Sequence, residues 1–268
     1  MSYEVLGITV LWFFLYGYLI VASIDFGAGF FHFYNKAPVW EVTNVFLVFF
    51  FVGIIGFFPD TAYYFGTALL VPGSISIVLI AIRGSYYAFN TYGSSDNLIY
   101  SFLYGMSGLL IPASFTIVLT ISEGGYLDIQ DGNVTLLLGE LFTSAYSWSV
   151  VILAIVSVLF ISASFLTYYA YKAGDTESYH LFRRYTLGWS LPTILASIFI
   201  FFAISQHNPD HFTEMLHISW MFFLSLLFFL VSVYLIYKKR RHGLAFVLVM
   251  LQFFSAWFGY GASHLPYL

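Results

Sequence analysis

Long apolar runs separated by short polar turns set the pattern of this chain. A membrane-crossing helix needs about 20 mostly apolar residues. Eight windows approach or exceed that length, roughly at 7–34, 42–59, 64–89, 98–121, 144–171, 186–205, 216–237 and 243–263. Strict alternation of apolar and polar residues, the mark of a membrane β-barrel, is absent. An open strand edge in lipid would also leave backbone groups unpaired. The pattern therefore predicts an all-α polytopic membrane protein with eight transmembrane helices. Pro72, Pro112 and Pro192 fall inside the third, fourth and sixth windows, where the missing backbone donor predicts kinks.

The polar residues between the windows set an orientation. Lys and Arg number nine, and all sit at the same ends of the expected spans. Lys36 lies between spans one and two, and Arg83 ends span three. Lys172, Arg183 and Arg184 lie between spans five and six, and Lys238 to Arg241 between seven and eight. The other ends carry Glu4, Asp60, Glu123, Asp128, Asp131, Glu140, Asp210 and Glu214 without a basic residue. Positive charge marks the cytoplasmic side, so both chain ends are expected outside. The longest interruption, 122–143, then lies outside and divides the spans four and four. The expected organisation is a four-helix bundle over 1–121, an extracytoplasmic loop over 122–143 and a second four-helix bundle over 144–268. No residue-level repeat links the halves. The first apolar run is too long and too aromatic for a cleaved leader and reads as a permanent span.

Composition agrees. The 268 residues are 60% hydrophobic and 8% charged, against about a quarter charged in soluble domains. There is no cysteine, which removes disulfides, thiolate metal sites, iron–sulfur clusters and thiol chemistry. The net charge of −4 gives no footing for nucleic acid.

Against that background a few ionisable groups stand out. Asp25 lies in the cytoplasmic third of span one, in the frame Ser-Ile-Asp-Phe-Gly-Ala-Gly. An intramembrane acid is costly, at least about 2.5–3.5 kcal/mol when ionised at depth, so a proton-handling role is the default reading. The structural alternative is a hydrogen-bonded acid that fixes helix packing. The small Gly27 and Gly29 would let a neighbouring backbone come close. Glu41 opens span two behind Pro38. It reads equally as a helix-start carboxylate favoured by the dipole and as a second acid on the Asp25 side. Arg83 either snorkels to the interface or pairs with Glu41 or Asp25, in which case it works against proton relay. Asp60 reads as a cap and turn residue.

The seven histidines sit in loops or near span ends. Haem across a bundle needs His or Met ligands projecting inward at matching depth, and no such set is visible. His207 and His211 form a spaced pair that reads as a solvated loop, with a weak metal site as the alternative. Tyr86, Tyr87 and the other tyrosines at span ends read as an interfacial belt.

Three stretches carry a family resemblance. They are Tyr3-Glu4-Val5-Leu6, Ser23-Ile24-Asp25-Phe26-Gly27-Ala28-Gly29, and Ala37-Pro38-Val39-Trp40-Glu41-Val42-Thr43-Asn44-Val45-Phe46. Together they resemble subunit II of the cytochrome bd-type quinol oxidases, whose first helix carries Gly-Phe-Asp-x-Gly-x-Gly and whose second opens with Pro-x-Trp-Asp-Gly-Asn-x-Val-Trp. Ile82 to Phe89 is similar to the family's arginine-bearing third-helix end, and Gly259 to Tyr267 to its motif after the eighth helix. The chain departs from the pattern at Glu41 for Asp, Val42 for Gly and Phe46 for Trp. The family usually has a ninth helix, and this sequence stops at Leu268.

The resemblance implies a haem-free subunit II in the cytoplasmic membrane of a bacterium or archaeon. Its partner would be the haem-bearing subunit I, with two haems b and one haem d and the quinol site; a small single-helix subunit is a further candidate partner. The complex would couple quinol oxidation to reduction of oxygen to water. By the same resemblance Asp25 is the proton relay and Glu41 a group near its entrance, with Arg83 as interface or charge partner. A proton-coupled transporter and a purely structural partner of subunit I are the alternatives.

Overall fold

The computed structural model describes residues 3–35, 44–92, 98–130 and 133–264. The protein is a helical polytopic membrane protein. Among the described residues six helices are each long and apolar enough to cross a membrane, and a bent helix pair makes a seventh if counted as one span. The chain falls into two compact units, Met1–Ile155 and Val156–Leu268.

In the first unit, α1 (Tyr3–Asn35) is apolar around its circumference, as a buried or lipid-facing helix is. α2 (Asn44–Phe57) packs on its N-terminal half through aromatic rings, with Phe14 at 6.3 Å from Phe46 and 5.6 Å from Phe49 between centroids. Gly17 and Gly53 make the approach possible. A methyl on Gly17 would lie 3.2 Å from the Phe46 ring, and one on Gly53 would overlap Leu11. Positions 42 and 43 of the expected second window, and Glu41 just before it, lie outside the described residues.

The third window was expected as one kinked helix over 64–89. It is two helices, α3 (Pro59–Ala68) and α4 (Leu70–Tyr92), meeting at Leu69 with a bend of 80°. Pro72 explains the break. It lacks the N–H that the Ala68 carbonyl would accept, and its ring crowds that carbonyl. α3 therefore ends at Ala68, and Pro72 sits in the first turn of α4. Asp60 lies in the first turn of α3, one residue beyond Pro59. Pro112 stays inside α5 (Leu98–Ser122).

The segment after α5 is more structured than a loop. β1 (Leu127–Gln130) and β2 (Asn133–Leu136) pair antiparallel, with Ile129 opposite Val134 and Gln130 opposite Asn133. The register leaves Asp131 and Gly132 between the strands, a composition that favours two-residue hairpins. The short helix α6 (Leu138–Thr143) follows. Ile121, Tyr126 and Leu141 form a small core beneath Phe65, Leu69, Ile117, Leu127 and Leu136. The Tyr126 hydroxyl is 2.7 Å from Ser144 Oγ. This small hairpin is an insertion in an otherwise helical chain, formed where the apolar Leu127 and Ile129 alternate on one side of Asp-Gly and Val134 and Leu136 on the other.

α7 (Ala145–Ala173) begins in the first unit and ends in the second. Within the second unit it packs on α8 (Thr176–His207), where Thr167 and Thr186 hydroxyls meet at 2.9 Å. α9 (Pro209–His217) and α10 (Ser219–Tyr237) follow, then α11 (His242–His264). Ser225 Oγ donates to the Gln252 carbonyl at 2.9 Å and ties α10 to α11. Pro192 stays inside α8, whose N-terminus is capped by Asp175 accepting from the Ser178 N–H at 3.0 Å.

Each unit contains a short helix opening with Pro-Asp, at Pro59-Asp60 and Pro209-Asp210. Each gives way through one residue, Leu69 or Ile218, to a long apolar helix.

Leu141→Ala should loosen the 123–143 segment by about 2–5 kcal/mol, the range for truncating a buried leucine. Hydrogen exchange should speed up across 127–143 while the helices keep their protection. Unchanged exchange there would show that the small core does not hold the hairpin.

Candidate functional site: a buried ion pair in the first unit

Asp25 and Arg83 are brought together. Arg83, on α4, reaches to α1 and is 3% exposed, as is Asp25. Its Nη2 lies 2.9 Å from Asp25 Oδ1, and its Nε donates to Oδ2 at 3.2 Å. This is the two-pronged geometry that suits a planar guanidinium to a carboxylate. Nη2 also donates to the Asp25 backbone carbonyl at 2.6 Å. The snorkelling alternative for Arg83 does not hold, since its head group points inward.

Tyr104 on α5 completes the cage. Its carbonyl accepts from Nη1 at 3.1 Å and its hydroxyl accepts from Nη2 at 3.0 Å. Its ring lies 4.0 Å from the guanidinium carbon, while Phe26 lies 5.3 Å away on the same cation. The cation is thus surrounded by a carboxylate, two carbonyls, a hydroxyl and two π-faces, the compensation a desolvated charge requires.

The local sequence explains why α1 can offer a backbone carbonyl as well as a carboxylate. Four residues after Asp25, where a side chain would cover its carbonyl, stands Gly29. A methyl there would lie 2.5 Å from Arg83 Nη1 and 2.9 Å from the Tyr104 ring. Gly108 on α5 does the same from the opposite side. A methyl on it would overlap the Phe26 carbonyl and come within 3.2 Å of Nη1.

A second set of polar groups adjoins the pair. The Tyr86 ring stacks on Tyr104 at 4.5 Å, and His32 meets both rings edge-on at 6.2 and 6.1 Å. The Tyr86 hydroxyl is 3.2 Å from His32 Nε2 and 3.4 Å from Ser101 Oγ. Tyr86 is buried rather than part of an interfacial belt, which corrects the expectation for that residue. His32, Tyr86 and Tyr104 were not singled out from the sequence. Tyr104 carries no local signal, whereas Tyr86 could have been found from Arg83, three residues before it on one helix face.

The second unit holds a different correction. His211 is buried, not solvated, with Nε2 2.9 Å from Ser263 Oγ. Its ring meets His264 at 4.7 Å and Tyr260 at 5.4 Å. His207 instead lies in the last turn of α8. The buried His242 places Nε2 3.2 Å from the Tyr179 hydroxyl. In His32, His211 and His242 alike, Nε2 lies within hydrogen-bonding distance of a hydroxyl.

Fold and site define a polytopic helical membrane protein whose first unit holds a desolvated charge pair. Comparison with known proteins narrows it. The model of the family described as cytochrome bd terminal oxidase subunit II matches residues 3–268. The chain is 31% identical to a putative cytochrome bd menaquinol oxidase subunit II of Bacillus subtilis strain 168, over 98% of this chain and 82% of the relative. A chain of the bd oxidase structure from Geobacillus thermodenitrificans is 55% identical with a TM-score of 0.87, over 100% of this chain and 86% of that one. The chain belongs to the cytochrome bd terminal oxidase subunit II family. It is therefore a subunit of a bacterial respiratory oxidoreductase complex. The family implies haem cofactors and a quinol substrate in that complex, and a subunit I as partner.

Arg83→Gln strands a buried carboxylate and should cost about 3–5 kcal/mol, the range for breaking a buried pair from one side. Asp25→Asn combined with Arg83→Gln should recover part of that loss. The amount of assembled complex surviving graded heating checks both, and a double variant no better than Arg83→Gln would contradict the pairing energetics. Gly29→Val should be as harmful as Arg83→Gln, because the guanidinium has nowhere to move.

Proposed function

We propose that this chain is the haem-free subunit II that supports subunit I of a bd-type terminal quinol oxidase and contributes a cytoplasmic proton-uptake route through Asp25. The observation that carries the reading is a carboxylate 3% exposed, held where α1, α4 and α5 meet, beside a hydroxyl and imidazole cluster. The hydroxyls of Tyr86 and Ser101 and the His32 ring supply groups that donate and accept protons in succession. Arg83 sets the condition for transfer. While its Nε and Nη2 hold both carboxylate oxygens, the adjacent cation favours the ionised carboxylate; loosening of the guanidinium lets Asp25 take a proton.

The wider reading follows the same lines. All basic loops lie in the cytoplasm under the positive-inside rule, with eight spans arranged as two four-helix bundles over 1–121 and 144–268 on either side of the 122–143 loop. Glu41 stands near the entrance of the route. Haem resides in subunit I, with two haems b and one haem d there. Subunit I is the principal partner in a heterodimer of the cytoplasmic membrane, and a small single-helix subunit is a further one.

A second reading is favoured by the pair itself. A carboxylate already bonded from two sides is a ready structural staple, and the chain would then only stabilise subunit I.

Asp25→Asn separates the two. In the assembled oxidase with normal haem spectra, the proton-route reading expects oxygen consumption to fall by about tenfold or more, on the scale of a lost proton-transfer group. Undiminished oxygen consumption with normal assembly would leave the structural reading.

A further inference from the structure

Seven of the nine Lys and Arg residues belong to the second unit, and all seven lie at one end of it. They come from the end of α7, the start of α8 and the turn between α10 and α11. Arg183 is committed to structure: its Nε donates to the Ile236 carbonyl at 2.9 Å and its Nη2 to that of Tyr237 at 2.7 Å. This neutralises the C-terminal end of α10 and fastens the α8 arginines beside the turn.

The other six are Lys172, Arg184, Lys238, Lys239, Arg240 and Arg241, all exposed. Among the described residues none lies within 4.0 Å of a carboxylate oxygen. The acids at this end are Asp175 and Glu177, and Asp175 is occupied in capping α8.

The turn is not a loose tether. Lys239 and Arg241 both adopt left-handed backbone, with φ of 56° and 50°. Glycine is the unstrained residue for that conformation, yet both positions carry full positive charge. The turn is tied back by Lys239 N–H to the Ile236 carbonyl at 3.2 Å and by Arg240 N–H to that of Leu235 at 3.0 Å. A fixed backbone outlier is a reason to look for a ligand. Just inside the turn, Tyr234 and Tyr237 are exposed, each 5.9 Å from the Lys238 ammonium. Further in, Leu230 and Val231 on α10 and Leu244 and Val247 on α11 are exposed and apolar.

We propose that this corner binds the phosphodiester head group of anionic membrane phospholipid, with the acyl chains against α10 and α11. Charge complementarity and the continuity from basic turn through tyrosines to apolar surface fit a lipid better than a soluble anion. Polybasic segments at span ends are attracted to anionic lipid in this way. The proposal needs only that this end of the unit lies at a membrane boundary, so it does not depend on the proton route.

The test uses the whole oxidase complex in mild detergent, mixed with phosphatidylglycerol and phosphatidylcholine of matched chains, with retained lipid counted after gel filtration. Wild type should retain phosphatidylglycerol preferentially at low salt and lose the preference as NaCl rises to about 0.5 M, where surface charges are screened. Lys239→Gln with Arg241→Gln should weaken the preference at low salt by at least about fivefold, and Lys238→Gln with Arg240→Gln should do likewise if the first pair fails to assemble. Inorganic phosphate at millimolar concentration should not compete. Equal retention by wild type and variants, a preference indifferent to salt, or displacement by phosphate alone would each overturn the assignment. So would variants that lose subunit I while keeping their lipid, since the corner would then be a protein contact.

Discussion

A charge placed among membrane helices must bring its own solvent, and the first unit is arranged around that requirement. Asp25 and Arg83 answer each other, but one ion pair leaves donors and lone pairs over. Two backbone carbonyls and the Tyr104 hydroxyl add further acceptors around the guanidinium. The glycines then follow from necessity. Without Gly29 the Asp25 carbonyl would be covered, and without Gly108 the α5 backbone could not approach Phe26. Replacing such a pair by apolar residues is often neutral or stabilising. Its presence is therefore better explained by something the pair does than by the stability it confers.

The second unit solves a milder problem. Its buried polar groups are mostly hydroxyls of Ser and Thr, several of which donate to carbonyls of their own helix or cross to a neighbour, as Thr167 does to Thr186 and Ser225 to Gln252. Such contacts let helices approach closely without importing charge. Charge in this unit is confined to its ends, where Arg183 serves as a carbonyl clamp and the α10–α11 turn holds its basic residues outward. The contrast between a charged interior in one unit and a neutral one in the other singles out the Asp25 site.

Much of the architecture could be read from the chain because the membrane imposes length. A run of about 20 apolar residues announces itself, and α1, α5, α7, α10 and α11 lie close to their windows, whereas α8 begins ten residues before its window, at Thr176, and takes in Arg183 and Arg184. The errors came where local chemistry overrides the apolar run. Tyr64 to Ala68 are apolar enough to join the third window, yet Pro72 severs them from α4. In the 122–143 segment, the Asp-Gly between Leu127–Gln130 and Asn133–Leu136 was a legible hairpin signal hidden inside a long polar interval. The site was half legible. Asp25 is conspicuous by cost, whereas an arginine ending an apolar run looks the same whether it snorkels or turns inward. Tyr104 is brought in by α5 and has nothing beside it in the sequence to betray the contact. Gly29, four residues after the acid, was the available clue that something would dock on the Asp25 carbonyl.

The central claim is that Asp25 changes protonation during turnover in spite of its guanidinium partner. Infrared difference spectroscopy of the assembled oxidase, with isotope-labelled aspartate and an Asp25→Asn control, tests it most directly. The account predicts a carboxyl signal that appears with oxygen turnover, shifts in heavy water and vanishes in Asp25→Asn. A carboxylate band that stays unchanged throughout turnover would contradict it and leave the pair as a structural staple.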